Sequence, residues 1–200
     1  MTATEVVRVA ELDRATAEKA AHLLRPSCAS ACWIDRLVGG RPYESLEALT
    51  AASDAAIAAL SWPDIEEALA AHPRIGDRAL RQEPPGQEPP GQEPPGQEPP
   101  GQEPPGQERP GQERESSWSR QEQAAAAGAG ADIQARLRAG NAQYEERFGH
   151  VFLICATGRS ATEMLSALHG RLGNDAAAER EIVRTELRQI VRLRLAKTFR

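Results

Sequence analysis

The chain has 200 residues, of which 40% are apolar, 26% charged and only 4% aromatic, and its formal net charge is -5. That balance offers no basic footprint for a phosphate backbone, although the last twenty residues are locally basic, and no apolar run reaches the eighteen or so residues needed to cross a bilayer. Neither nucleic acid nor a membrane is expected as a partner, and the abundance of Ala and Leu over β-branched and aromatic residues favours an all-α, bundle-like single domain of about seven to eight helices.

In chain order, apolar spacing predicts one helix from Leu12 to Leu24, a second from Ser30 to Val38, and a third from Ser45 to Leu60. Ser61, followed by Pro63 and Asp64, has the pattern of an N-cap with proline in the first turn. Ile65, Ala68 and Leu69 then give an apolar stripe that stops before Pro73. His72 falls where this helix ends.

From Gln82 the unit Gln-Glu-Pro-Pro-Gly recurs five times unchanged, followed by Gln107-Glu108-Arg109-Pro110-Gly111 and Gln112-Glu113-Arg114-Glu115. Proline removes amide donors and fixes φ, glycine adds backbone entropy, and no unit carries an apolar side chain to bury. Residues 82–115 are therefore expected to be an extended low-complexity insert in a single domain spanning 1–200, with no chemistry of its own.

Beyond the insert, Ser119 and Glu122 have capping-box spacing and open an Ala-rich stretch ended by Gly128 and Gly130. Asp132 is the expected cap of a long helix through Ile133, Leu137, Tyr144 and Phe148. Phe148 to Thr157 is an apolar run too short to assign by period. Ser160 caps a helix to Leu172, and Asp175 begins the last one. On that last helix the apolar stripe of Val183, Leu187, Ile190 and Val191 continues through Arg194. A guanidinium on an apolar face requires a carboxylate or a bound anion beside it, so either a structural ion pair or a role in a site is open.

Cys28 and Cys32 are spaced to share a helical face, but no second ligand pair and no HExxH accompanies them, so no metal site is expected. The first fourteen residues lack the charged and apolar regions of a secretory leader, and three cysteines make no even disulfide framework, which points to the cytoplasm. No GxSxG or glycine-rich phosphate loop is present, and Cys155 lies in an apolar run where a packed thiol is the ordinary outcome.

What remains is an ordered set: His72-Pro73-Arg74-Ile75-Gly76, Ser119-Arg120-Gln121-Glu122-Gln123, Asn141-x-x-Tyr144-x-x-Arg147-Phe148-Gly149, Phe152-Leu153-Ile154-Cys155-Ala156, and the Arg171-Leu172-Gly173-Asn174-Asp175 turn before a helix holding Leu193-Arg194-Leu195. In order and spacing, this set resembles the OHCU decarboxylases, which act on 2-oxo-4-hydroxy-4-carboxy-5-ureidoimidazoline, the last unstable intermediate between urate and (S)-allantoin. The resemblance covers nearly the whole chain outside the insert.

The resemblance implies that His72 is a proton donor with Glu122 as its acidic partner. It further implies that Pro73, Ser119, Arg120, Gln121 and Gln123 line the substrate, that Phe152, Leu153, Ile154, Cys155 and Ala156 offer it backbone groups and an aromatic face, and that Arg194 is the family's C-terminal-helix arginine. It also implies an all-helical homodimer that needs no cofactor. Two departures stand out. His150-Val151 replaces the family's usual aromatic residue and proline, and the insert separates His72 from Glu122. A different class of reading is a catalytically idle helical scaffold that uses the Pro-rich insert to recruit partners.

The chemistry suits these residue types. Loss of CO2 leaves an electron pair on a ring carbon, and the substrate's own imidazoline nitrogen and carbonyl groups can receive it. The protein must orient the carboxylate, stabilise developing charge and deliver a proton to one face. Histidine titrates near neutrality, and a neighbouring Glu122 is expected to orient the imidazole and favour its protonated form.

Overall fold

The structure is a computed structural model, and it describes residues 7–75 and 130–200. Eight helices account for most of them: α1 (Val9–Arg14), α2 (Ala17–Leu24), α3 (Ala31–Gly39), α4 (Leu46–Ala58), α5 (Trp62–Ala70), α6 (Ala131–Phe148), α7 (Ala161–Arg171) and α8 (Ala176–Thr198). No strand forms among the described residues. An isolated parallel bridge joins Val7 to Phe199, where Val7 N–H donates to the Thr198 carbonyl at 2.8 Å and Arg200 N–H to that of Val7 at 3.0 Å.

Local caps set most helix starts. The Ser30, Ser45, Ser61, Ser160 and Asp175 side chains each accept the backbone N–H three residues on, and Ser61/Asp64 and Ser160/Glu163 form reciprocal capping boxes. Two starts differ from the sequence reading. The expected helix over Leu12–Leu24 is broken at Ala15, whose extended backbone lets Thr16 cap a separate α2. Helix α6 begins after Gly130, which leaves Asp132 in the first turn instead of at the cap. Cys28 also lies before α3, so it does not share that helix with Cys32. The expectations for residues 82–115 and for the Ser119–Gly128 helix lie outside the described residues.

The apolar side chains gather in two clusters. The larger one joins α1–α5 to α8 through residues such as Leu12, Trp33, Leu49, Ile57, Ile65, Leu187, Val191 and Leu195. Helix ends are tied across it: Arg184 of α8 donates to the carbonyls of Ile57 and Leu60 at the end of α4, and Glu67 of α5 accepts the Ala31 N–H that opens α3. The smaller cluster packs α6 on α7 through Leu137, Tyr144, Met164, Leu165 and Leu168. At Gly140 the two helices approach so closely that a Cβ would sit 2.5 Å from Leu168 Cδ2. No helix among the described residues is long and apolar enough to cross a membrane.

Candidate active site

The run Phe152–Ala156 crosses between the two clusters in an extended path. Alternate side chains of such a path point to opposite sides, and here Leu153 and Cys155 enter the larger cluster while Phe152, Ile154 and Ala156 enter the smaller one. All five residues are buried. With no neighbouring strand among the described residues, the run draws on side chains for several of its hydrogen bonds, besides the Arg159 N–H that the Ala156 carbonyl accepts at 3.0 Å. Arg171 Nη1 donates to the Leu153 carbonyl at 2.7 Å, Cys155 N–H donates to Glu186 Oε2 at 2.8 Å, and Arg159 Nε donates to the Cys155 carbonyl at 3.2 Å. These groups share one edge. On the other edge, no described residue bonds the Ile154 N–H or C=O.

Arg171 anchors this wall. Its guanidinium lies 4.6 Å from the centroid of the Phe152 ring, which Tyr144 meets edge-on at 5.1 Å. It also donates to Glu179 Oε1 through Nε at 2.8 Å and Nη2 at 2.5 Å, and the same carboxylate receives the Tyr144 hydroxyl and Asn174 Nδ2. Burial pushes the Glu179 carboxyl up, but the hydrogen bonds from Arg171, Tyr144 and Asn174 outweigh it and hold its pKa below the usual value. The Tyr144 phenol is pushed up, first by burial and then by its bond to Glu179.

His72 follows the end of α5 and is buried. Its Nδ1–H donates to the Ala68 carbonyl at 2.9 Å, whereas Nε2 is buried without a hydrogen-bond partner. Burial first, and then the positive charge of Arg194, lower its pKa from 6.5 to about 3, against the Ala68 bond, which raises it. The surroundings described therefore hold the imidazole neutral, with an open acceptor at Nε2. The expected protonated form depended on Glu122, which lies outside the described residues together with Ser119, Arg120, Gln121 and Gln123. Arg194 is fully buried on α8, beside Val191 and Leu195.

The structure thus brings His72 within the field of Arg194, and Ile75, three residues on from His72, into the cluster that holds Phe152, Ile154 and Ala156. Pro73 lies between them on the connecting segment. Arg74 makes a two-pronged pair with Glu145, at 2.6 Å from both Nε and Nη2, and Asn141 Nδ2 donates to the Ile75 carbonyl at 2.7 Å. Sequence reasoning singled out the Asn141–Tyr144 motif but missed Glu145, Arg159, Glu179 and Glu186 as wall and loop supports. Only the Arg171–Asp175 turn signalled part of that network.

His150 sits edge-on to Trp62 at 5.1 Å and to Tyr144 at 5.4 Å, so the departure from an aromatic residue keeps a flat ring in an aromatic cluster.

The sequence model of the family described as OHCU decarboxylase matches residues 13–93 and 105–196. The chain belongs to the OHCU decarboxylase family. It is 30% identical over 172 residues to the "Uric acid degradation bifunctional protein TTL" of Arabidopsis thaliana, covering 86% of this chain and 45% of that protein. It is 48% identical over 61 residues to the 2-oxo-4-hydroxy-4-carboxy-5-ureidoimidazoline decarboxylase of Amia calva, covering 30% of this chain and 35% of that one. The chain thus spans less than half the length of these curated relatives. Among solved structures, an OHCU decarboxylase crystallised in the presence of (S)-allantoin superposes with a TM-score of 0.60 at 26% identity, over 88% of this chain and 96% of that one. An (S)-allantoin synthase gives the same TM-score at 16% identity, over 96% of this chain and 54% of that one, which speaks for the shared fold alone. The OHCU decarboxylase fold is therefore all-α here, with His72 and the Phe152–Ala156 wall inside the matched ranges.

Proposed function

We propose that this chain decarboxylates 2-oxo-4-hydroxy-4-carboxy-5-ureidoimidazoline to (S)-allantoin and CO2, the last step in converting urate to allantoin, without a cofactor. The observation that carries the reading is His72: a buried imidazole kept neutral, its Nδ1–H committed to Ala68 and its Nε2 unpartnered, beside the buried charge of Arg194. A neutral Nε2 can take the proton of the substrate's 4-hydroxyl, whose oxygen becomes the ring carbonyl as CO2 leaves C4, and return it to the neighbouring ureido-bearing C5, which becomes the stereocentre. Arg194 attracts the substrate's anionic group, and the electron pair left by CO2 passes into the substrate's own ring nitrogen and carbonyl groups.

Glu122 is the acidic partner of His72 in this reading, and Pro73, Ser119, Arg120, Gln121 and Gln123 line the substrate. In the wall Phe152, Leu153, Ile154, Cys155 and Ala156, the Ile154 amide supplies the backbone donor and acceptor, because the Leu153 carbonyl and the Cys155 N–H are already engaged. The family resemblance supports a homodimer, and three cysteines that make no even disulfide framework support a cytoplasmic setting. The resemblance also supports a single domain in which residues 82–115 interrupt the fold without interrupting the site.

Circular dichroism of freshly made urate-oxidase product, after hydrolase treatment, tests the proposal. Rapid growth of the (S)-allantoin signal upon adding the protein supports it, and slow racemic product indistinguishable from the blank overturns it.

A further inference from the structure

The segment that carries His72 has no regular structure, so the direction of the imidazole must be set from outside it. One anchor is local, the bond from Nδ1 to the Ala68 carbonyl. The other comes from α6. Asn141 and Glu145 are four residues apart and share a helix face, and both grip this segment: Asn141 Nδ2 holds the Ile75 carbonyl at 2.7 Å, and Glu145 holds Arg74 with two hydrogen bonds of 2.6 Å.

Asn141 is an uneconomical choice for packing. It is 2% exposed, it lies on α6 between buried Leu137 and Tyr144, and its Oδ1 has no hydrogen-bond partner. A hydrocarbon side chain there would be easier to bury, because an unsatisfied buried amide oxygen is costly. A residue that breaks the local packing rule and contributes a single bond is explained by what that bond holds.

We propose that Asn141 is a positioning residue for His72, acting through the Ile75 carbonyl, with Glu145 supporting the same segment through Arg74. The inference rests on the reading of His72 as the proton-transfer group. Ile75 is three residues from His72, so slack at its carbonyl reaches the imidazole, and a displacement on the order of 1 Å can cost roughly a hundredfold in rate.

The test compares wild type, Asn141→Ala, Glu145→Ala and Ser53→Ala. Ser53→Ala removes a buried hydrogen bond to Trp33 Nε1 between α3 and α4, and serves as a control for stability loss away from the site. For Asn141→Ala, kcat for (S)-allantoin formation is expected to fall about tenfold or more with KM nearly unchanged. Glu145→Ala should show a smaller loss in the same direction with an unchanged melting temperature, so it carries the test alone if Asn141→Ala does not fold. A kcat that falls no further than in Ser53→Ala overturns the inference.

A second readout does not depend on turnover. In 15N-histidine spectra, with His72 identified by its loss in His72→Gln, the wild-type ring should be the Nδ1–H tautomer and stay neutral through mildly acid pH. In Asn141→Ala, or in Glu145→Ala if the former does not fold, the tautomer should mix and the ring should protonate at higher pH. An unchanged His72 signal in the folded variant overturns the positioning role. Inactive wild type with the expected spectral change would overturn the decarboxylase reading and leave the positional link standing.

Discussion

His72 donates its Nδ1–H to the carbonyl of Ala68, one turn back along α5, at 2.9 Å. That bond selects the tautomer and leaves the Nε2 lone pair as the ring's only acceptor. His72→Gln is therefore expected to abolish stereospecific turnover while the protein remains folded. Circular dichroism should then show no (S)-allantoin signal growing in, because racemic product is silent, while the substrate signal decays at the background rate. Full (S)-specific activity in this variant would remove His72 from the mechanism.

Stability should depend on pH through the same ring. Its folded pKa of about 3 lies below the ordinary 6.5, so between these values the unfolded chain binds a proton that the folded chain does not. The contribution is fully present above pH 6.5 and is lost as pH falls towards 3, by up to about 1.4 kcal/mol per unit. Urea melts at pH 7.0 and 5.0 should show wild type losing more stability than His72→Gln. Equal losses would mean that the folded ring titrates normally.

The buried Arg171–Glu179 pair should be sensitive to partial removal. Arg171→Met leaves the Glu179 carboxylate facing only Tyr144 and Asn174, at an expected cost of about 3–5 kcal/mol, whereas the double variant Arg171→Met/Glu179→Met should recover much of that loss. Denaturant midpoints measure both. Since Arg171 also stacks on Phe152 and holds the Leu153 carbonyl, the double variant should regain stability but not activity. Recovered turnover would show that the wall holds its shape without the guanidinium.

Removing four of the five identical repeat units, residues 87–106, should leave kcat and handedness unchanged. The deleted residues contain no apolar side chain, and shortening a connection of this length changes closure entropy by only about 1 kcal/mol. Steady-state assays of the deletion decide the matter, and a loss of activity without loss of folding would give the insert a role.

Sequence patterns revealed those parts of the fold that depend on residues close together in the chain. The caps at Ser30, Ser45, Ser61, Ser160 and Asp175 act over three residues, so their spacing alone predicts the helix starts. The break at Ala15 escaped because Leu12, Ala20 and Leu24 keep a helical period across it, and Thr16 is followed by Lys19 where a capping box would have an acid. Arg194 was conspicuous as a charge on an apolar stripe. Glu186 and Glu145 were not, because their partners at Cys155 and Arg74 lie 31 and 71 residues away, and nothing local distinguishes them from solvated helix carboxylates.

The pairing of Val7 with Thr198 and Arg200 makes the backbone nearly a closed ring. A spacer running from Arg200 to Val7 in place of residues 1–6 would complete it, and new ends could then be opened within the repeat units without cutting any described helix of either cluster. Such a rearranged chain would carry Asn141 and the wall ahead of His72, the reverse of their present order, yet the same side chains would meet.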